Sequence, residues 1–383
     1  MNWNVPLFDP DLGAEEEQAL VEVIRSKWLT MGDRTKAFEA RFAEEIGVPV
    51  ALACNSATAA LHMALDALGV GPGDDVVVPS LTFVATANAV RYCGARPVFA
   101  DVASMDEWNV SAESIERALT PATKAIVVVH YAGYACDMPA IMALARARGL
   151  AVVEDVAHAP CVALEGVHLG AWGDVGCFSF FSNKNMTTGE GGMVTTRRPE
   201  LAERLSRLRS HGMTTLTLDR HKGHAFGYDV VALGFNYRMS EMNAALGLVQ
   251  LAHVRQRNAR RAAHVARYRG NLAVLPLGLP FEQFRGESAF HLMPVLLPEG
   301  ADRHLVMTQM RNQGVQTSIH YRPVDTFTAY VEAGLGPSTT VPMSHRIGNG
   351  VITLPLYPSM SADQIDHVCA SLAKALEESG GRG

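Results

Sequence analysis

The run Cys177-Phe-Ser-Phe-Phe-Ser-Asn-Lys-Asn-Met-Thr-Thr-Gly-Glu-Gly-Gly192 decides how this chain is read. An apolar, strand-like stretch delivers a single lysine, Lys184, into a turn of small and polar residues. An amine held there in a partly dry pocket loses basicity and becomes able to form a Schiff base. A solvated surface position is the ordinary fate of a strand-end lysine, so the run needs support from elsewhere.

Two segments supply that support. Leu150-Ala-Val-Val-Glu-Asp-Val-Ala-His-Ala159 runs four apolar residues into Glu154 and Asp155. A buried parallel strand reads this way, and its C-terminal end is where open α/β sheets place ligands. Cys54-Asn-Ser-Ala-Thr-Ala-Ala-Leu-His-Met-Ala-Leu65 offers Ser56 as an N-cap ahead of a strong helix former. A helix start among small residues, with Thr58 in its first turn, suits a phosphate. Taken singly, these are a strand-end acid and a capped helix. Taken together they are an amine for an aldehyde, a carboxylate for a ring nitrogen and donors for a phosphate, which is what pyridoxal phosphate requires.

Further motifs lie along the chain: Trp28-Leu-Thr-Met-Gly32, Asn55-Ser-Ala-Thr-Ala-Ala-Leu61, Pro79-Ser-Leu-Thr-Phe-Val-Ala-Thr-Ala-Asn-Ala89, Glu154-Asp-Val-Ala-His158, Phe178-Ser-Phe-Phe-Ser-Asn-Lys184, Thr188-Gly-Glu-Gly-Gly192, Gly234-Phe-Asn-Tyr-Arg-Met-Ser-Glu241 and Leu354-Pro-Leu-Tyr-Pro358. With these blocks in this order, the chain resembles the DegT/DnrJ/EryC1/StrS aminotransferases, which act on sugars and cyclitols. The resemblance covers nearly the whole chain.

That resemblance implies a fold-type-I α/β enzyme whose large domain is a mostly parallel sheet flanked by helices, with a smaller α+β C-terminal domain. It implies pyridoxal 5′-phosphate held as an internal aldimine on Lys184, the catalytic residue. Ala57 (through its backbone), Thr58 and Ser179 are then expected at the phosphate, Phe83 stacked on the pyridine ring, Asp155 at the ring nitrogen and His158 near the ring oxygen. Asn236 matches a residue that reaches the phosphate from a neighbouring subunit, which implies a homodimer with shared active sites. His320 and Tyr321 match a stretch near the substrate pocket. Arg322 interrupts the usual spacing to the proline there, and is read as facing either a substrate anion or solvent. The implied reaction takes an amino group from glutamate or glutamine to a keto sugar, a nucleotide-linked 3- or 4-keto-deoxysugar being the first choice. An aminocyclitol (keto-inositol) aminotransferase and a non-catalytic pyridoxal-phosphate-binding regulator are the alternatives; the full set of cofactor residues argues against the second.

Composition agrees with an ordinary globular protein. The 383 residues are 48% hydrophobic and 19% charged, with a formal net charge of -6. That balance, with no lysine/arginine-rich block, excludes non-specific nucleic-acid binding. No signal-peptide pattern opens the sequence and no apolar run is long enough to span a bilayer, so a cytoplasmic, membrane-free protein is expected. The cysteines at 54, 93, 136, 161, 177 and 369 show no CxxC pair and read as reduced thiols. Cys54 and Cys177 read as small strand residues. Asp219-Arg-His-Lys-Gly-His224, with His211 upstream, lacks the helical frame of a metal site and reads as a substrate-facing loop, so no metal is expected.

Apolar runs at 76–79, 97–102, 125–130, 150–155, 175–180 and 193–196 alternate with helical patterns at 56–68, 84–91, 111–119 and 138–148, after amphipathic helices at 14–26 and 34–46. A long helix within 236–269, opened by Ser240 and Glu241, leads into strands at 293–297, 315–320 and 351–354 and helices at 302–312 and 362–378. The expected division is residues 1–245 for the cofactor-binding domain, and 246–383 for the linking helix and small domain. The tail 380–383 reads as frayed.

Overall fold

The computed structural model describes residues 3–215, 227–284 and 286–380. The segment 219–224 and the tail 381–383 lie outside the described residues. Two helices open the chain, α1 (Ala14–Ser26) and α2 (Asp33–Ile46). Then come β1 (Val50–Cys54), α3 (Ala57–Ala67), β2 (Asp75–Pro79), α4 (Ala85–Tyr92), β3 (Arg96–Ala100), α5 (Ala112–Ala118), β4 (Thr123–Val129), α6 (Met138–Arg148) and β5 (Ala151–Asp155). A two-residue hairpin, β6 (Ala163–Leu164) and β7 (Val167–His168), precedes β8 (Val175–Ser179), β9 (Gly192–Thr196) and α7 (Pro199–Arg209).

Seven of these strands form one sheet in the order β1-β9-β8-β5-β4-β2-β3. β8, β5, β4, β2 and β3 run parallel, while β9 is antiparallel to both neighbours. Successive residues feed opposite faces. Val152 and Phe178 join a core with Phe38, Phe42 and Phe180, and Val153 and Cys177 join a core with Leu61, Leu65 and Leu205. Helices therefore cover both faces, and the strands can be apolar throughout. The C-terminal ends of β1, β5 and β8 share one edge of the sheet with the start of β9, and the site forms there.

The long helix Glu241–Leu272 begins where Ser240 accepts the Asn243 amide. Residues before it stay extended because Arg238 bridges to Cys54 and the Tyr237 carbonyl accepts the Asn55 amide. A third core gathers Tyr268, Leu272, Val306, Ile365 and Leu372 around β10 (Met293–Leu296) and β11 (Val351–Leu354), which pair antiparallel. The expected strand over 315–320 does not form. Val315 bridges to Val5 while Ser318 bridges to Thr353, so two different partners divide the segment and no continuous ladder results. Val50–Cys54, Pro199–Arg209 and the helix Pro342–Gly350 are elements that the sequence patterning left unassigned. Among the described residues, no helix is long and apolar enough to cross a membrane.

Candidate active site

The loop between β8 and β9 presents Lys184. It is closed at its neck by Phe180 N–H to Gly191 O at 2.9 Å and Thr188 N–H to Phe180 O at 2.9 Å. Inside it, Lys184 N–H to Phe181 O at 2.9 Å makes the turn. The lysine side chain enters a cavity of about 570 Å³, within the range of small-molecule sites. Ala57, Thr58, Phe83, Asp155, His158, Ser179, His320 and Tyr321 line the same cavity. Asn236 does not line it: it is exposed, and its carbonyl accepts from the Asn55 side chain at 3.4 Å.

Each side chain is placed by its element. Asp155 ends β5 and is only 6% exposed. Its Oδ2 accepts from Thr86 Oγ1 at 2.9 Å and its Oδ1 from the Ala157 amide at 3.1 Å. Burial pushes its pKa up, against the pull of those donors and of Lys184. Thr86, on α4, is a site residue the sequence reading missed; its place one helical turn after Thr82 is a faint signal. Glu154, one residue earlier, supports the loop instead. It is fully buried and accepts the amides of Gly170, Trp172 and Gly173 at 2.8–2.9 Å, and lies 3.2 Å from His130 Nε2.

Burial pushes the Lys184 amine down to about 8, offset in part by the Asp155 carboxylate. His158 receives the Ala132 amide on Nδ1 at 3.3 Å, which leaves Nε2 as its protonated nitrogen, 3.0 Å from the Tyr321 hydroxyl. The two rings lie nearly parallel, 14° apart. Burial keeps His158 neutral, and it pushes His320 down to about 4. Tyr131 anchors this wall by donating to the His320 carbonyl. The Cys54 and Cys177 thiols are buried and pushed up, Cys54 to about 12, which suits inert strand residues.

At the start of α3, Ser56 Oγ accepts the Ala59 amide at 3.1 Å and Ser56 O the Ala60 amide at 3.0 Å. The amides of Ala57 and Thr58 have no acceptor among the described residues and face the cavity as unpaired first-turn donors. Gly192 makes this possible. A Cβ there would sit 2.5–2.8 Å from the Ser56 carbonyl group and the Ala57 nitrogen. Gly192→Ala is therefore expected to push the helix start aside and weaken phosphate binding roughly tenfold or more, the loss of about one charge-assisted hydrogen bond. Titration of the apo protein with pyridoxal phosphate, read by absorbance, checks this.

The residues fit pyridoxal phosphate on these observations. A depressed amine lies beside a buried carboxylate, unpaired helix-start amides face the same space, and Phe83, 56% exposed, borders it.

Fold and site together define the fold-type-I aminotransferase class. The comparisons narrow it. The model of the DegT/DnrJ/EryC1/StrS aminotransferase family matches residues 10–373, and the chain belongs to that family. It is 38% identical over 373 residues to the spore coat polysaccharide biosynthesis protein SpsC of Bacillus subtilis (strain 168), covering 96% of each chain. Among solved structures it is similar to the aminotransferase TlmJ from Streptoalloteichus hindustanus, with 35% identity, 98% and 99% coverage and a TM-score of 0.90. It is also similar to Spr1654 from Streptococcus pneumoniae in its PLP form, with 30% identity, 98% and 99% coverage and a TM-score of 0.91.

Proposed function

We propose that this chain is a pyridoxal-phosphate-dependent sugar aminotransferase that passes an amino group from glutamate or glutamine to a nucleotide-linked 3- or 4-keto-deoxysugar. The observation that carries it is one cavity holding the depressed Lys184 amine, the Asp155 carboxylate and the unpaired start of α3. The polysaccharide role in the name of SpsC and the PLP form of Spr1654 support it.

In this reading Ala57, Thr58 and Ser179 bind the phosphate, Phe83 orients the ring, and Asp155 holds a proton on the ring nitrogen. Bound there, the cofactor supplies an electron sink for charge developing on the carbon next to nitrogen. Lys184 Nζ, once released, moves the proton at that carbon, and an amine near 8 is poised to do so at neutral pH. His158, tied to Tyr321, closes the wall beside the ring oxygen. Asn236 belongs to a neighbouring subunit's site: it is exposed, and Val231 and Leu233 beside it are 49% and 93% exposed. A monomer by sedimentation equilibrium would contradict the shared site.

Arg322 carries the nucleotide part of the reading. It lines the cavity, its Nε donates to Thr326 Oγ1 at 2.9 Å, and its guanidinium lies 5.0 Å from the centre of the Phe327 ring. Its Nη2 donates to the Thr326 carbonyl at 2.5 Å, which with Nε fixes the guanidinium on neutral acceptors and leaves its charge for a substrate diphosphate. Arg322→Ala is expected to raise KM for the nucleotide-linked substrate about tenfold or more with kcat retained, by steady-state kinetics. A panel of nucleotide-linked keto sugars and scyllo-inosose, offered with glutamate or glutamine, tests the assignment. Turnover of the cyclitol alone would replace it with an aminocyclitol aminotransferase.

A further inference from the structure

His291 lies in the segment leading into β10 and is 5% exposed. Its surroundings fix which nitrogen carries the proton, starting from a main-chain oxygen. The Pro160 carbonyl accepts Asn258 Nδ2 at 3.2 Å, so Asn258 Oδ1 is left as an acceptor. Asn185 Nδ2 donates to that oxygen at 2.7 Å and to Ala289 O at 2.6 Å. With its amide so oriented, Asn185 turns Oδ1 toward His291 Nδ1 at 2.9 Å. Nδ1 must then be the protonated nitrogen, because two acceptors cannot face each other in a buried site. The lone pair on Nε2 is left facing Lys184 Nζ across 3.5 Å, the long limit of a hydrogen bond.

We infer that His291 is a positioning residue whose Nε2 accepts a hydrogen bond from the Lys184 amine and holds that amine in place whenever it is not bound to the cofactor. This rests on Lys184 being the working amine of the proposed reaction. His291 takes no proton. The titratable groups around it are Lys184 from the β8–β9 loop, His158 from the end of β5, His320 from the opposite wall and Arg261 from the long helix. The Arg261 guanidinium reaches the His291 carbonyl at 3.4 Å, and the His158 ring centre lies 4.5 Å from that of His291. None of these adds negative charge, and burial, helped by the nearby Lys184 and Arg261 cations, holds the imidazole neutral. Asp155 is the carboxylate that acts on Lys184 itself. The amine is thus held between a charged partner and an uncharged one.

The test compares His291→Leu, which has no acceptor, with His291→Gln, whose amide oxygen restores one. In the apo protein, the pH dependence of Lys184 acylation by acetic anhydride, followed by peptide mass spectrometry, reports the amine directly. In the leucine variant the midpoint is expected to fall by about one pH unit, since an acceptor that favours the ammonium is gone, and the glutamine variant is expected to bring it back. In the holoenzyme, kcat is expected to drop roughly tenfold in the leucine variant with KM little changed, and to recover in part with glutamine. Asn185→Ala, which releases the imidazole to either tautomer, is expected to fall between the two and serves if the leucine variant does not fold. An unchanged acylation midpoint in His291→Leu, or equal losses in the leucine and glutamine variants, would overturn the inference. Failure of the unmodified enzyme to transaminate any keto sugar would instead strike the functional assignment, because the acylation profile needs no cofactor.

Discussion

Replacing Lys184 by alanine is expected to abolish turnover, lowering kcat by at least about four orders of magnitude. The side chain supplies both the covalent tether of the cofactor and the proton carrier, and a positioned acid–base group alone is worth up to about 10⁴-fold. Among the described residues no other lysine lines the cavity to substitute for it. The purified variant should also lack the yellow absorbance of the lysine-bound cofactor. The same amine is a burden on the fold. Its pKa of about 8 in the native protein lies below the 10.5 of a free lysine, so at pH 7 the folded state holds an ammonium that is less well solvated than in the unfolded chain. Below pH 8 that cost is present in full; between pH 8 and about 10.5 it fades, because the unfolded chain still holds the proton that folding must release, and the release becomes easier as pH rises. Discounted for the side of the lysine open to the cavity, the cost is about 2 kcal/mol. Apo Lys184→Met is thus expected to melt higher than the parent at pH 7, with the gap closing toward pH 10.5. Calorimetry of the two apo proteins across that range checks the sign. A variant that melts lower throughout would mean the lysine is better solvated than its surroundings indicate.

Asp155→Asn is expected to lower kcat by roughly 10²–10³, the range seen when one preorganised electrostatic partner of a developing charge is removed. The change is nearly isosteric. Oδ1 can still accept the Ala157 amide, and the Thr86 hydroxyl can turn to accept from the new NH2, so the loss reports chiefly the charge. The pH profile gives a second reading. Burial raises the Asp155 pKa, so activity should fall on the acid side as pH drops through a value above that of an ordinary carboxylate. The asparagine variant should lose that limb. His158 and His291 do not contribute to it near neutrality, because burial keeps both imidazoles uncharged there, and His320 protonates only near pH 4. A parent enzyme and an Asp155→Asn variant with identical acid limbs would place the titrating group elsewhere.

Much of the site was legible because its parts are local. Asp155 follows a continuous apolar run, the signature of a strand covered on both faces, and Ser56 caps a helix from the position its residue type favours. Lys184 was legible from the abrupt change between an apolar strand and a turn. Residues that work through distant chain were not. His291 meets Lys184 across 107 positions, and its own neighbours, Phe290 and Leu292, give only the pattern of a histidine entering a buried strand. An isolated imidazole inside an apolar run was the one available hint. Asn185 adjoins the lysine, yet its importance comes from Asn258 on the long helix, which no local pattern announces. The misread segment 315–320 has the same origin: its residues suit a strand, and only the arrival of Val5 from the far end of the chain divides it.

The neck joining Phe180 to Gly191 has a consequence for how such a catalyst diversifies. With both feet of the loop riveted to adjacent ladder strands, Ser179 opposite Gly192, the backbone beneath Lys184 is a stationary pivot. What swings is a four-carbon arm, whose arc is the same whatever carbonyl compound arrives. The opposite wall, from Ile319 to Arg322 with Phe327, comes from a separate stretch of chain more than a hundred residues further on. Selectivity can be rewritten there, residue by residue, while the moving part keeps its geometry.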